Sequence, residues 1–238
     1  MEHIGIRPSP LVYQCLAERA CSKGSNSSLG SGTAPEFGML HMPTTLVLFD
    51  FDGTLTRRDS LLGFLKFAVG SYNFYKGLVR LFPVLAAYGL RIISNSRAKE
   101  RLIEHFLGGW DTAWFETVAD DYSKHCIDNI LRPEAFATLK QHVASGHRVA
   151  IVSASMEDWL RAWCRVHRVE LIATRLERDG TRLTGRFATE NCYGPEKVAR
   201  VRAHFDLETF DEIYAYGDSS GDREMLALAT RPFYRSFD

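Results

Sequence analysis

Cysteine is scarce and scattered. The five residues, Cys15, Cys21, Cys126, Cys164 and Cys192, form no Cys-x-x-Cys pair and are odd in number. That argues against a zinc site and against a disulfide framework. They read as reduced thiols in a cytoplasmic compartment. The eight histidines show no metal-ligand spacing either. Net charge is missing too, since 29 basic residues offset 29 acidic ones, and a neutral chain gives no global case for nucleic acid. No stretch of about 18 uncharged apolar residues occurs, so no membrane-spanning helix is expected. No charged-then-apolar signal opens the chain, and internal repeats are absent.

The composition that remains is 45% hydrophobic and 24% charged over 238 residues, an ordinary globular mix with room for one sizeable core and a smaller insert. Residues 1–42 look foreign to that core. Their centre, 22–33, is nearly all serine, glycine and other small or polar residues, a linker composition. This segment reads as an expression leader or a disordered extension. From Thr45 the pattern sharpens. Leu46-Val47-Leu48-Phe49 and Val149-Ala150-Ile151-Val152 are short uninterrupted apolar runs, and Leu171-Ile172-Ala173 and Ile213-Tyr214-Ala215-Tyr216 continue the series. Such runs fit strands buried on both faces of a parallel sheet. Helical patterns over 134–145, 156–168, 195–205 and 221–229 alternate with them, and residues 177–187 read as a β-hairpin around Asp179-Gly180. The fold class expected is therefore α/β, with a Rossmann-like parallel sheet. Nearly 100 residues separate the first two strands, far more than one crossover needs. The expected division is a catalytic core of 43–56 and 133–238 and a helical cap of 57–132 inserted after the first strand.

Ligands in open parallel sheets bind beyond the carboxyl ends of the strands. Asp50 and Asp52 end the first strand, Ser153 the second, Asp218 and Asp222 come after a later one, and Lys197 opens a helix. Carboxylates crowded on one rim need a cation to stay ionised, and oxygen donors of this kind suit Mg²⁺ and a phosphate oxygen beside it. A lysine and a serine hydroxyl can bind the remaining phosphate oxygens. One carboxylate can attack phosphorus and another can move the protons. Gly53 permits a sharp turn, and Thr54 can bond phosphate or cap the segment after it.

The run Asp50-Phe51-Asp52-Gly53-Thr54-Leu55-Thr56 resembles the first motif of the haloacid dehalogenase-like hydrolase superfamily. Ile151-Val152-Ser153 resembles the second, Lys197 the third, and Gly217-Asp218-Ser219-Ser220-Gly221-Asp222 the fourth. The resemblance covers about 43–238 and points to the phosphoserine-phosphatase-like branch, subfamily IB. It implies Asp50 as nucleophile and metal ligand, and Asp52 as general acid/base with its backbone carbonyl on the metal. Thr54, Ser153, Ala154 and Lys197 would hold the phosphoryl group. Asp218 would be the direct ligand of Mg²⁺, with Asp222 behind it on a metal-bound water or on Lys197. Three departures stand out. Ala154-Ser155 replace the Gly-Gly that comes after the second-motif serine in phosphoserine phosphatases, Gly221 replaces the asparagine before the last aspartate, and Asp59 replaces a cap glutamate nine residues after the nucleophile. They put phosphoserine in doubt as the substrate and leave Asp59 as a candidate cap contact.

Residues 57–107 carry nine basic and three acidic side chains, and the stretch is also strongly apolar. Basic residues beside apolar aromatic helices can rest on an anionic membrane surface, cover an acyl chain, or simply form a core. This cap, with Cys192-Tyr193-Gly194-Pro195-Glu196-Lys197, resembles the phosphatidylglycerophosphate phosphatases of the branch. The expectation is a Mg²⁺-dependent phosphatase acting through an aspartyl-phosphate, on a phospholipid phosphate such as phosphatidylglycerophosphate. A small soluble phosphomonoester, a non-catalytic phosphate-binding module and transfer to an acceptor other than water are the alternatives.

Overall fold

The computed structural model describes residues 44–237. The expected leader, with Cys15 and Cys21, lies outside them. Strand β1 (Thr45–Phe49) is buried along its whole length. It pairs on one side with β2 (Arg148–Met156) and on the other with β6 (Glu212–Gly217). Strands β3 (Glu170–Thr174) and β7 (Arg231–Tyr234) complete a sheet of order β3-β2-β1-β6-β7, parallel at every pairing. Alternate side chains of β1 feed opposite faces. Leu46 and Leu48 pack with Ala150, Val152, Val201 and Met225, while Val47 and Phe49 pack with Val149, Ile151 and Leu139. Two-sided burial is why these strands read as unbroken apolar runs rather than alternating ones.

The chain leaves β1 through helices α1 (Ser60–Arg80), α2 (Phe82–Gly89), α3 (Asn95–Leu107) and α4 (Thr112–His125) and a 3₁₀ turn, Ile127–Ile130. It re-enters the sheet through α5 (Pro133–Ala144). Helix α1 is bent at Gly70, whose φ of 78° and ψ of 158° break the helical path. Phe64 of α1 stacks on Trp159 at 4.5 Å between ring centroids, and Phe115 of α4 meets Phe64 edge-on. The first half of α1 thus shares one apolar cluster with the sheet face.

Helix α6 (Glu157–His167) comes after β2, and α7 (Pro195–His204) and α8 (Arg223–Leu228) flank β6. The hairpin is β4 (Leu176–Asp179) with β5 (Arg182–Phe187); Asp179 pairs with Arg182, so Gly180-Thr181 make the turn rather than Asp179-Gly180. Gly180 takes the positive φ (55°) that such a two-residue turn requires. Gly185 lets the hairpin close on α3, because a Cβ there would fall 2.3 Å from the Glu104 Cα. Two further boundaries differ from those expected of the sequence. Strand β2 runs on through Ser153 to Met156, carried by a bulge after the Ser153–Ala173 pair. Helix α8 begins at Arg223 because Ser220–Asp222 forms a separate 3₁₀ turn.

Strand order reverses between β1 and β6: the chain steps outward from β1 to β2 and β3, then returns to β6 on the other side of β1. A crevice opens beyond the strand ends at such a switch point, and ligands bind there. Asp50 and Asp218 are the residues directly after these two strands.

Candidate active site

Asp50 extends the ladder one residue past β1, its amide donating to the Tyr216 carbonyl at 2.9 Å. The backbone then turns at Gly53 (φ 94°), where a Cβ would lie 2.5 Å from Asp218 Oδ2. Only glycine lets the first strand's turn and the Asp218 carboxylate share this space. Thr54 Oγ1 donates to Asp218 Oδ1 at 2.9 Å, so Thr54 links the two strand ends. Gly217 has the same logic, since a Cβ there would sit 2.5 Å from the Asp222 Cβ.

Lys197 enters from the first turn of α7 and is almost wholly buried. Its Nζ donates to Asp50 Oδ1 at 2.5 Å and to Asp222 Oδ1 at 2.6 Å. Burial works against the lysine charge, but the two carboxylates outweigh it and hold the ammonium above its ordinary range. Asp222 is held low: burial raises it, and Lys197 and Ser219 prevail. Its Oδ2 also accepts from the Ser219 amide at 2.9 Å and the Ser219 hydroxyl at 2.7 Å, and the Ser219 hydroxyl caps the adjoining turn in return. Asp50 behaves oppositely. Burial foremost, then Asp222 and Asp52, push it up to about 7, with Lys197 opposing. Asp50, Asp218 and Asp222 each bring an oxygen within 4.8 Å of the others. This all-oxygen set suits a hard divalent cation, whose charge would relieve the repulsion that raises Asp50.

The Asp52 side chain turns away from that cluster. Its Oδ1 accepts from the Ser60 amide at 2.7 Å, and Oδ2 accepts from the Ser60 hydroxyl at 3.0 Å and from the Ser155 hydroxyl. Ser60 opens α1, so a helix N-terminus faces the carboxylate, a favourable arrangement. Burial and the Asp59 charge nonetheless raise Asp52 to about 6, while Ser155, Lys99 and Ser60 pull the other way. Asp59 itself is the N-cap of α1, accepting from the Leu62 amide at 2.9 Å. Ser153 is buried in β2, its hydroxyl accepting from the Ser155 amide at 3.0 Å. The Ala154 carbonyl accepts from Lys99 Nζ at 3.1 Å, which brings α3 over the second motif.

Four residues of the site, Ser60, Ser155, Ser219 and Lys99, are not among those the sequence singles out. Ser219 carries a local signal, because Ser-x-x-Asp is a capping pattern, and Ser155 is visible as a departure. Ser60 and Lys99 have none. The Gly221 departure has a packing cause: a Cβ there would meet the Tyr193 ring at 2.2 Å, and Tyr193 lies across that position with its hydroxyl 3.0 Å from the Ser220 hydroxyl.

Residues 47–227 match the family model of the haloacid dehalogenase-like hydrolases. Protein CicA of Caulobacter vibrioides is 37% identical over 212 residues, 87% of this chain and 93% of that protein. A Bordetella pertussis protein of unknown function has a similar structure (TM-score 0.70, 26% identity, 80% of this chain and 89% of that one). A phosphoserine phosphatase solved as a phospho-aspartyl intermediate analogue shares the fold (TM-score 0.51, 20% identity, 79% and 84% of the two chains). The chain belongs to the haloacid dehalogenase-like hydrolase family.

Proposed function

We propose that this hydrolase is a phosphatase of the phosphoserine-phosphatase-like branch that cleaves its ester through an aspartyl-phosphate on Asp50, and that the substrate is a phospholipid phosphate such as phosphatidylglycerophosphate. The observation that carries the mechanism is the Lys197 bridge between Asp50 and Asp222, beside Asp218 at the switch point. Asp50 attacks phosphorus, the ester P–O bond breaks, and the leaving oxygen takes a proton from the Asp52 carboxyl. Asp52 then takes a proton from the water that attacks the aspartyl-phosphate, which frees inorganic phosphate and restores Asp50. Lys197, Ser153, Thr54 and the chain at Ala154 bind the phosphoryl oxygens. Asp50, Asp218 and the Asp52 carbonyl would hold Mg²⁺, with Asp222 behind them; bound there, the ion supplies charge neutralisation for the phosphoryl group.

The lipid reading rests on the helical insert, which we take as a cap over a core of 43–56 and 133–238. None of α2 is buried, and Phe82 and Leu90 are 68% and 73% exposed. Val79 and Ile92 are exposed beside them. From Ser60 to Lys99 the sequence holds Lys66, Lys76, Arg80, Arg91, Arg97 and Lys99 and no acidic residue. An exposed apolar end with exposed Lys76, Arg80 and Arg91 beside it in sequence fits an anionic lipid surface. No helix of the described residues is long and apolar enough to cross a membrane; the proposed contact is a peripheral one, from the cytoplasm.

Phosphate release from a panel of phosphatidylglycerophosphate, phosphatidate, phosphoserine and an aryl phosphate, with Mg²⁺ and with chelator, tests this. The expected result is chelator-sensitive release, strongest on the lipids. Strongest release from phosphoserine would establish a small soluble substrate and sink the lipid reading. Release from none, with phosphate still bound, would make the protein a binding module.

A further inference from the structure

We propose that Ser155 is a positioning residue for the leaving-group step: its hydroxyl fixes the Asp52 carboxyl in the orientation from which Asp52 protonates the departing oxygen. The inference rests on the aspartyl-phosphate reading above and goes beyond it, because it gives a role to a side chain outside the motif positions.

The geometry is specific to this chain. Strand β2 carries Ala154 and Ser155 in a bulge between the Ser153–Ala173 and Met156–Thr174 pairs, which releases Ser155 from the ladder. Its side chain is buried and donates to Asp52 Oδ2. Its hydroxyl oxygen also lies 2.9 Å from the Ser60 hydroxyl. That hydroxyl stands 3.0 Å from the same carboxylate oxygen and accepts from Trp159 Nε1 at 3.3 Å. Asp52 is therefore gripped from two sides, by α1 of the insert through Ser60 and by β2 of the sheet through Ser155. Removing the Ser155 hydroxyl leaves Oδ2 with one donor and the carboxyl held from the α1 side, with no bond to β2 to fix its tilt.

The chemistry says where this loss appears. When the ester P–O bond breaks, the leaving oxygen keeps the electron pair. An alkoxide is too basic to leave without the Asp52 proton, whereas p-nitrophenolate leaves without it. A misaligned Asp52 therefore slows alkyl esters and spares the aryl one. A residue with only a structural role would lower both alike.

The test is kcat/KM of full-length Ser155→Gly and Ser155→Ala on glycerol phosphate and on p-nitrophenyl phosphate, with Mg²⁺ present. General-acid contributions run to roughly a hundredfold or more. Loss of alignment alone should remove about tenfold on the alkyl ester and under about threefold on the aryl ester. Both values come from one preparation, so any change in folded fraction cancels in their ratio. Asp52→Asn sets the upper limit of the same discrimination. Equal losses on the two esters, or a rise in KM with kcat kept, would overturn the role of Ser155 while leaving the phosphatase reading intact. A wild-type protein that releases phosphate from neither ester nor from phosphatidylglycerophosphate would remove that reading and this inference with it. Discrimination absent from Asp52→Asn would overturn the inference through the proton donor.

Discussion

The rim at the ends of β1 and β6 and the far end of the helical insert break the inside–outside rule in opposite directions. At the rim, charges are buried or half-buried and each is answered: Lys197 lies between Asp50 and Asp222, Thr54 binds Asp218, and Ser60 and Ser155 hold Asp52. At the far end, apolar side chains are exposed and nothing answers them. Phe82, Leu90 and Ile92 face solvent, and among the described residues Lys76, Arg80 and Arg91 have no ion-pair partner. A buried polar group and an exposed large apolar patch are both informative exceptions. The first kind is complete within the chain and so points to chemistry. The second is incomplete within the chain and so points to something outside it.

The largest effect belongs to the rim. Asp50→Asn removes the nucleophile, and kcat should fall by about four orders of magnitude or more, on the scale of losing any covalent nucleophile. Phosphoenzyme trapping should fail in the same variant. Turnover near normal would mean that the buried carboxylate is structural and that the rim does not differ in kind from the rest of the core.

Next comes the lysine that holds the rim together. Lys197→Met leaves Asp50 and Asp222 buried without their cation. Breaking one side of a buried ion pair costs about 3–5 kcal/mol, so the denaturation midpoint should drop sharply as well as the activity. Added Mg²⁺ should recover part of the stability, because it neutralises the same carboxylates. A variant as stable as wild type would show that the two carboxylates do not repel in the folded state.

The far end should respond in the reverse way. Phe82→Asp with Leu90→Asp changes only exposed positions, so stability should shift by about 0.5 kcal/mol or less and turnover of an aryl phosphate should be kept. Flotation with vesicles containing anionic phosphatidylglycerol should be lost. Binding retained by this double variant would place the membrane contact elsewhere. Wild type that never floats would leave the exposed end without a lipid role.

The two regions are also unequally legible in the sequence. The strands, their parallel arrangement and the rim aspartates can be read from Leu46 to Asp52 and from Ile213 to Asp222, because a buried strand with a carboxylate at its end is a local pattern. What local pattern cannot give is partnership across distance. Ser155 meets Asp52 over 103 residues, and Lys99 reaches Ala154 over 55. Nor can composition say which apolar residues of the insert turn inward. Leu61, Phe64 and Leu65 are buried and Phe82 and Leu90 exposed. The bend at Gly70 breaks α1, so a single helical periodicity does not run through the segment. Asp59, a candidate cap contact by its position, also serves in the structure as a helix cap, a second role that its spacing from Asp50 does not announce.

The smallest expected effect tests whether the sheet behind the rim behaves as ordinary core. His142 of α5 lies against β6, its Nε2 3.0 Å from the Tyr216 hydroxyl and its Nδ1 2.8 Å from Nδ1 of His147. Burial, and then His147, push its pKa down to about 4. The unfolded chain keeps the ordinary value near 6.5, so between these two values the unfolded state binds more protons. The stability that neutral His142 provides is fully present above about pH 6.5 and is lost as the pH falls toward 4. The His142 ring nitrogens face His147 and Tyr216, and the cost of protonation is a charge placed in a half-buried site beside a second imidazole. His142→Gln has no proton to gain, and its curve of midpoint against pH should be flatter over this window. Wild type and variant share every carboxylate at the rim, so the difference between their curves isolates the histidine. Parallel curves would mean that the imidazole titrates in the folded protein as it does in the unfolded chain. The region behind β6 would then be wetter than its packing against Tyr216 implies, and the contrast between a closed rim and an open far end would have to be redrawn with a second open face.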